Sequence, residues 1–394
     1  MTPEPLLWLD ALQGSGIRPG LSRMRALLRK LGNPERACPS IIVAGTNGKG
    51  STSSTLASIL NASGYRTGLY TSPHLVELRE RWMIGDSMIS PDALSSAIEQ
   101  LRAAADRADI VPTYFEALTL LAFIAFADAK CEVMVLEVGM GGRLDATNVV
   151  RPLAALITPI GFDHTEYLGT TIRQIAGEKA GVIHRGAIVL TSNDDPRVLG
   201  ILRHRAAMFG NPFHVVTSTH STPLAGDFQQ RNAALAVKAA EELRPLLPRI
   251  SPESIERGVS GTRWRGRLEK IDRDEKTIWI DGGHNAHAIA AIVPFIHEHV
   301  PSPRLLVFGI MSDKDVAEVT SALFPLFDAI IATEPYPPRS ELASRLVALA
   351  GDRGVAEPEP GRAIEKALAS DYASIVIAGS LYLAGAAIAR LDTE

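Results

Sequence analysis

The sequence predicts an α/β protein built on two mostly parallel sheets, and three observations carry that expectation. Short β-branched or aliphatic runs alternate with longer segments of helical periodicity from Ser40 almost to the C-terminus, the pattern of parallel strands covered on both faces by helices. The 394 residues exceed a single domain of roughly 100–200 residues, and a hydrophobic content of 46% can fill a core in each part. A change of composition also separates two groups of strand-like runs.

The first group comprises residues 41–44, 67–70, 133–138, 154–158 and 187–190, and the second comprises residues 277–281, 305–309, 329–333 and 374–378. Between them the spacing predicts a helix over residues 227–243. A stretch rich in Pro, Ser, Gly and Arg follows, from Pro245 through S-P-E-S-I-E-R-G-V-S-G-T-R-W-R-G-R, and it reads as a linker or hinge. We therefore expect a larger domain over residues 1–262 and a smaller one over 263–394. Neither an internal repeat nor a low-complexity tract is present.

Several function classes are excluded by composition. With 40 Lys+Arg against 44 Asp+Glu and a net charge of −4, the chain lacks the basic excess of a nucleic-acid binder. The two cysteines, Cys38 and Cys131, have no metal-ligand or disulfide-framework spacing. The start M-T-P-E-P-L-L-W-L-D-A-L-Q-G has neither the basic beginning nor the cleavage site of a signal peptide. The longest apolar stretch, near residues 118–127, falls short of the ~20 residues that a membrane-spanning helix needs. The expectation is a soluble cytoplasmic protein with no nucleic-acid or membrane partner, and a monomer, since no coiled-coil seam is present.

After the run 41–44 comes Gly45-Thr46-Asn47-Gly48-Lys49-Gly50-Ser51-Thr52, followed by helical spacing that ends at Gly64. Strand, glycine loop and helix form the context of a phosphate cradle. Backbone N–H groups converge on phosphate oxygens, the helix N-terminus adds its positive end, Lys49 adds a charge and Ser51 offers a hydroxyl to Mg²⁺. The first domain is thus expected to have a P-loop-type sheet and the second to be Rossmann-like. The loop departs from G-x-x-x-x-G-K-[ST]: Val43 stands where a glycine is usual, and Gly50 separates Lys49 from Ser51.

This variant resembles the ATP loop of the Mur ligase superfamily, particularly of folylpolyglutamate and dihydrofolate synthases. More motifs follow in the family's order over most of the chain. They are T-S-P-H-L-V-E-L-R-E-R-W with Glu80-Arg81, Thr113-Tyr114-Phe115-Glu116, and Glu137-Val138-Gly139-Met140-Gly141-Gly142-Arg143-Leu144-Asp145-Ala146-Thr147-Asn148. Then come Asp163-His164-Thr165-Glu166-Tyr167-Leu168-Gly169, Glu178-Lys179-Ala180-Gly181, Asn232, Gly266-Arg267-Leu268-Glu269 and Asp281-Gly282-Gly283-His284-Asn285.

The resemblance implies roles. Asn47, Gly48, Lys49, Gly50, Ser51, Thr52, Asn232, Arg267 and Asp281 would bind ATP, with the second domain completing that site. Ser51, Glu137 and His164 would hold Mg²⁺. Lys179, carbamylated, would help to hold a second Mg²⁺. A carboxylate at the end of a parallel strand, as Glu137 would be, agrees with this, whereas an imidazole is an atypical Mg²⁺ ligand. Gly20, Leu21, Arg81, Thr113, Phe115, Glu116, Leu144, Asp145 and Ala146 would bind the pteridine substrate. On the residues alone, Phe115 either stacks on a flat heterocycle or belongs to the helix core. Asp145 likewise either accepts a pair of N–H bonds or caps a turn. Lys49, Lys179 and His284 are the candidate catalytic residues. His284 otherwise reads as part of a polar turn, and Gly283 and Ala286 depart from the family's D-x-A-H-N-P.

The implied activity is ligation of L-glutamate to dihydropteroate or a reduced folate, driven by ATP through an acyl phosphate. Alternatives are folylpolyglutamate synthesis alone, a Mur-type ligase acting on another carboxylate, and an ATP-binding regulator that ligates nothing.

Overall fold

The computed structural model describes residues 4–16 and 18–392. They form two compact units. The first runs from the N-terminal residues to Pro73 and adds Arg79–Pro223 and Gln230–Arg263; the second comprises His74–Leu78, Leu224–Gln229 and the chain from Trp264 onward.

The first unit holds strands β1 (Ser40–Ala44), β2 (Thr67–Tyr70), β3 (Trp82–Ile84), β4 (Ser87–Met88), β5 (Val133–Glu137), β6 (Ala154–Ile157), β7 (Ile188–Thr191) and β8 (Phe213–Val215). Their order in the sheet is β4-β3-β2-β5-β1-β6-β7-β8, parallel except where β3 meets β2 and β4. Its helices are α1 (Glu4–Ala11), α2 (Ser22–Lys30), α3 (Lys49–Ala62), α4 (Pro91–Ala108), α5 (Tyr114–Asp128), α6 (Thr165–Leu168), α7 (Ile172–Ala180), α8 (Pro196–Ala207), most of α9 (Asp227–Leu243) and α10 (Pro252–Gly261). Alternate strand residues Ile41, Val43, Val133, Val135 and Leu156 pack with Leu56 and Leu60 of α3, Leu235 and Leu243 of α9, and Ile255 and Val259 of α10. The period-2 alternation of a strand puts these residues on one face.

The second unit holds β9 (Glu269–Arg273), β10 (Lys276–Ile280), β11 (Arg304–Phe308), β12 (Ala329–Ala332), β13 (Gly354–Ala356) and β14 (Ser374–Ala378), ordered β13-β12-β11-β14-β10-β9. Only β9 is antiparallel to its neighbour. Helices α11 (Ala286–His299), α12 (Val316–Leu323) and α13 (Ala343–Ala350) pack with Trp279, Leu306 and Val376. On the other face, α14 (Pro360–Leu368) and α15 (Leu381–Asp392) pack with Ile278, Leu305 and Ile375.

Both sheets bear out the expected α/β class, but the linker reading is corrected over residues 252–261. These form α10, opened by a capping box between Ser251 and Ser254. Gly258 lies so close to α3 that a Cβ there would sit 2.3 Å from Ile59 Cα. The glycine that suggested a flexible hinge is instead required by close helix packing. Among the described residues, no helix is long and apolar enough to cross a membrane.

Candidate active site

The glycine loop leaves β1 and enters α3 under tight constraint. Gly45 has φ +146°, and a Cβ on it would lie 1.8 Å from Thr158 Oγ1; Gly48 has φ +85°, and its Cβ would lie 2.4 Å from Asn232 Oδ1. Both positions therefore demand glycine. Thr46 pins the loop to the segment after β6: its N–H donates to Pro159 O at 2.9 Å, and its hydroxyl donates to Gly161 O at 3.0 Å. Among the described residues, no side chain caps the N-terminus of α3, and its first turn carries no acidic residue. Its N–H groups and dipole are free to receive an anion. Lys49 opens this helix and donates from Nζ to Thr46 O at 3.0 Å.

Lys179 reaches the same loop from α7. It is buried, and its Nζ donates a 2.6 Å hydrogen bond to Gly45 O. Burial, reinforced by the nearby Lys49, pushes its pKa down to about 7, against the opposing pull of Asp163 and Asp145. Glu137 is the last residue of β5, beside Val43 of β1 in the parallel register. It is buried and accepts the Ser72 N–H at 3.1 Å through Oε2. Ser51 is also buried, in the first turn of α3. His164 has φ +50°, and its N–H donates to Asp163 Oδ1 at 2.9 Å.

No group of three or more His, Cys, Asp or Glu among the described residues could by itself hold a metal ion. A buried hydroxyl and a buried carboxylate near a phosphate cradle instead fit Mg²⁺, which binds through one or two carboxylates and completes its shell with water and substrate phosphates.

A cavity of about 440 Å³ opens beside this region in the same unit. Gly20, Arg81, Thr113, Phe115, Glu116, Leu144, Asp145 and Ala146 line it, as does His164. Leu21 is not among the lining residues; it is buried at the start of α2. Phe115 does two things: its ring borders the cavity and covers Gly139, where a Cβ would lie 2.2 Å from Phe115 Cζ. Thr113 and Glu116 form the capping box of α5. Glu116 also accepts both Nε hydrogen bonds of Arg23, each 3.1 Å, which ties α2 to the cavity wall. Asp145 caps a short turn, accepting from Thr147 N at 2.9 Å, Thr147 Oγ1 at 2.6 Å and Met140 N at 3.0 Å. Burial raises its pKa, an effect these bonds partly offset. A fourth bond, from the Gly139 N–H, also acts on it, so the carboxylate's roughly four lone-pair positions are engaged, and a ligand N–H arriving from the cavity would share an oxygen with one of these donors.

Further lining residues are Arg18, Ser72, Met140, Arg143, Tyr167 and Glu178. Most lie in the quoted motifs, so their signal was in the sequence. Arg23 had none, since its partner Glu116 is 93 residues away.

In the second unit, Asp281 follows β10 and is buried. Its Oδ2 accepts from Leu268 N at 2.9 Å and its Oδ1 from Gly283 N at 2.6 Å. Burial raises its pKa, and the Arg267 guanidinium opposes the rise. A Cβ on Gly282 would lie 2.6 Å from an Arg267 terminal nitrogen, so this glycine lets the arginine pass over the turn. His284 Nδ1 is 2.8 Å from Gly282 O, which points the other ring nitrogen away from the turn. Asn285 caps α11 by accepting the Ala288 N–H at 2.8 Å. Asn232 belongs to the first unit, against Gly48.

The chain is similar to known proteins over most of its length. Residues 43–211 match the Mur ligase middle domain, and residues 266–381 match the Mur ligase glutamate ligase domain. The chain is 32% identical to the dihydrofolate synthase/folylpolyglutamate synthase of Bacillus subtilis, over 95% of each chain. Its fold matches a Mycobacterium tuberculosis folylpolyglutamate synthase complexed with ADP and AMPPCP, with a TM-score of 0.88, 32% identity and 98% of each chain covered. It also matches Escherichia coli FolC in complex with DHPP and ADP, with a TM-score of 0.89 and 29% identity over 100% of this chain and 98% of that one.

Proposed function

The chain belongs to the dihydrofolate synthase/folylpolyglutamate synthase family of Mur ligases, and from that premise we propose how its residues join L-glutamate to dihydropteroate, a reduced folate, or both. Forming an amide from a carboxylate and an amine in water is uphill, so the acceptor carboxylate is first phosphorylated by ATP. ADP leaves, the glutamate amine attacks the acyl phosphate, and collapse of the tetrahedral intermediate releases phosphate and the amide.

The observation that carries this reading is the uncapped N-terminus of α3, with Lys49 at its head, in the same unit as a cavity bordered by Phe115 and Asp145. The N–H groups of the loop hold the phosphates in line for transfer, and Lys49 neutralises charge that grows on the transferred group. Phe115 offers its face to the pteridine, and Asp145, on the wall of the same cavity, receives its N–H edge. Arg267 neutralises phosphate charge, Asp281 holds the ribose end and Asn232 meets the adenine. His284 acts at the amino-acid site.

Ser51, Glu137 and His164 would hold one Mg²⁺. Lys179, carbamylated, would help hold a second, since a buried ammonium beside Lys49 gains by becoming a carbamate anion. Bound Mg²⁺ would supply charge neutralisation of the phosphates. The mass of the intact protein, measured under bicarbonate and after acid treatment, reads the carbamate directly.

The test of the activity is Mg²⁺-dependent ADP release with L-glutamate, comparing dihydropteroate, tetrahydrofolate and no acceptor. Turnover with the first establishes dihydrofolate synthesis, and turnover with both establishes a bifunctional enzyme. ADP release independent of either acceptor overturns the reading.

A further inference from the structure

A second cavity, of about 460 Å³, lies between α7 and α8 and has no part in the chemistry above. Its walls are basic: Arg143, Arg173, Arg197, His204 and Arg205 all line it. Arg143 pairs with Glu178 and Arg197 with Asp195, each with a short ion pair. Arg173 and Arg205 have no carboxylate partner among the described residues. The Nε of Arg205 is buried without a hydrogen-bond partner among the described residues, while its guanidinium lies over the Phe209 ring at 4.7 Å.

The floor is unusual as well. Gly177 sits inside α7 and Gly200 inside α8; both line the cavity, and a Cβ on either would meet nothing within 4 Å. Interior helical glycines are disfavoured, and here no packing among the described residues requires them. They keep the groove deep where the positive charge converges. Arg143 borders this groove and the acceptor cavity alike, so the two meet at its side chain.

We propose that this groove is an accessory site for an oligo-γ-glutamyl chain, the polycarboxylate tail of an elongated folate. Each added residue contributes one α-carboxylate, and Arg173 and Arg205 supply unpaired guanidinium groups to receive such anions. A tail held here lies outside the nucleotide loop, so the groove retains long-chain folates without presenting their terminal carboxylate for reaction. The proposal rests on the folate-ligase reading.

Equilibrium binding of pteroyl-mono- and pteroyl-tetra-γ-glutamate to the wild-type protein and to the R173Q/R205Q variant tests it. The tetraglutamate is expected to bind about tenfold more tightly to the wild type, with the gain shrinking as salt rises. In the variant both compounds should bind alike, with monoglutamate affinity unchanged. Free tetra-γ-glutamate should compete for the groove, whereas preferential competition by tripolyphosphate would overturn the assignment to carboxylates. G200L, which fills the floor without altering charge, should also abolish the gain. A monoglutamate that binds while the tail adds nothing sinks the groove alone. If neither pteroyl compound binds, the folate reading falls, and the proposal with it.

Discussion

The Lys179 ammonium and the carbonyl oxygen of Gly45 are 2.6 Å apart, joining α7 to the first residue of the glycine loop. This contact places a buried amine at the loop proposed to cradle phosphate. Lys179→Met keeps much of the volume and removes the amine. Turnover is expected to fall about a hundredfold or more, with the fold retained by circular dichroism. Lys179→Arg should be equally inactive, because a guanidinium does not form a carbamate. An active arginine variant would show that only positive charge is needed.

Lys49→Ala and Glu137→Ala should each abolish measurable turnover while leaving the thermal transition cooperative. Lys49 makes a single hydrogen bond to the Thr46 carbonyl, and little folding energy depends on it. Steady-state ADP release is the measurement, and near-normal rates in either variant would refute the assigned roles.

Gly48→Ala introduces a Cβ at φ +85° and 2.4 Å from Asn232 Oδ1. The strain should cost about 1–3 kcal/mol and weaken nucleotide binding. Titration with a fluorescent ATP analogue, beside urea denaturation, separates the two effects.

Acceptor binding should depend on the ionisation of Asp145. Burial raises its pKa above the ordinary 3.8, and only the ionised carboxylate accepts N–H bonds with both oxygens. Affinity for dihydropteroate is therefore full above the raised pKa and declines as pH falls through it, at a higher pH than for an exposed aspartate. Asp145→Asn should bind weakly across the range, so a wild-type profile flat down to pH 4 would contradict the role.

Gly258→Val should destabilise the first unit by about 1–3 kcal/mol through overpacking, because its new side chain meets the α3 backbone at Ile59. KM values should be unchanged in the folded fraction. Urea midpoints report the first effect and initial rates the second.

Nine strands were legible as apolar runs, because buried parallel strands carry continuous hydrophobic sequence. The missed ones, β3, β4, β8, β9 and β13, lie at or next to the sheet edges. There, solvent dilutes the pattern: both residues of the two-residue β4 are exposed, and β9 alternates half-buried with exposed positions. Helix α10 was hidden by its Pro, Ser and Gly content, since its capping box uses Ser254 in place of the usual Glu or Gln. The strand–glycine loop–helix arrangement could be read from spacing alone. That Asp145 serves a turn and the cavity wall together, or that Glu116 is shared between a cap and Arg23, depends on distances between remote segments that a linear pattern does not encode.

The seating of α10 on α3 also decides where the polypeptide tolerates being cut or fused. Composition would place a safe breakpoint anywhere beyond Pro245. A fragment ended there would strip a helix from α3, the helix that the glycine loop enters, leaving Leu56 and Ile59 uncovered on that side. Proteolytic nicking or an inserted partner within residues 252–261 would thus unseat α3, on which the proposed nucleotide site depends, rather than sever an inert tether. The first unit extends through Arg263, so a break that spares α10 lies beyond that residue.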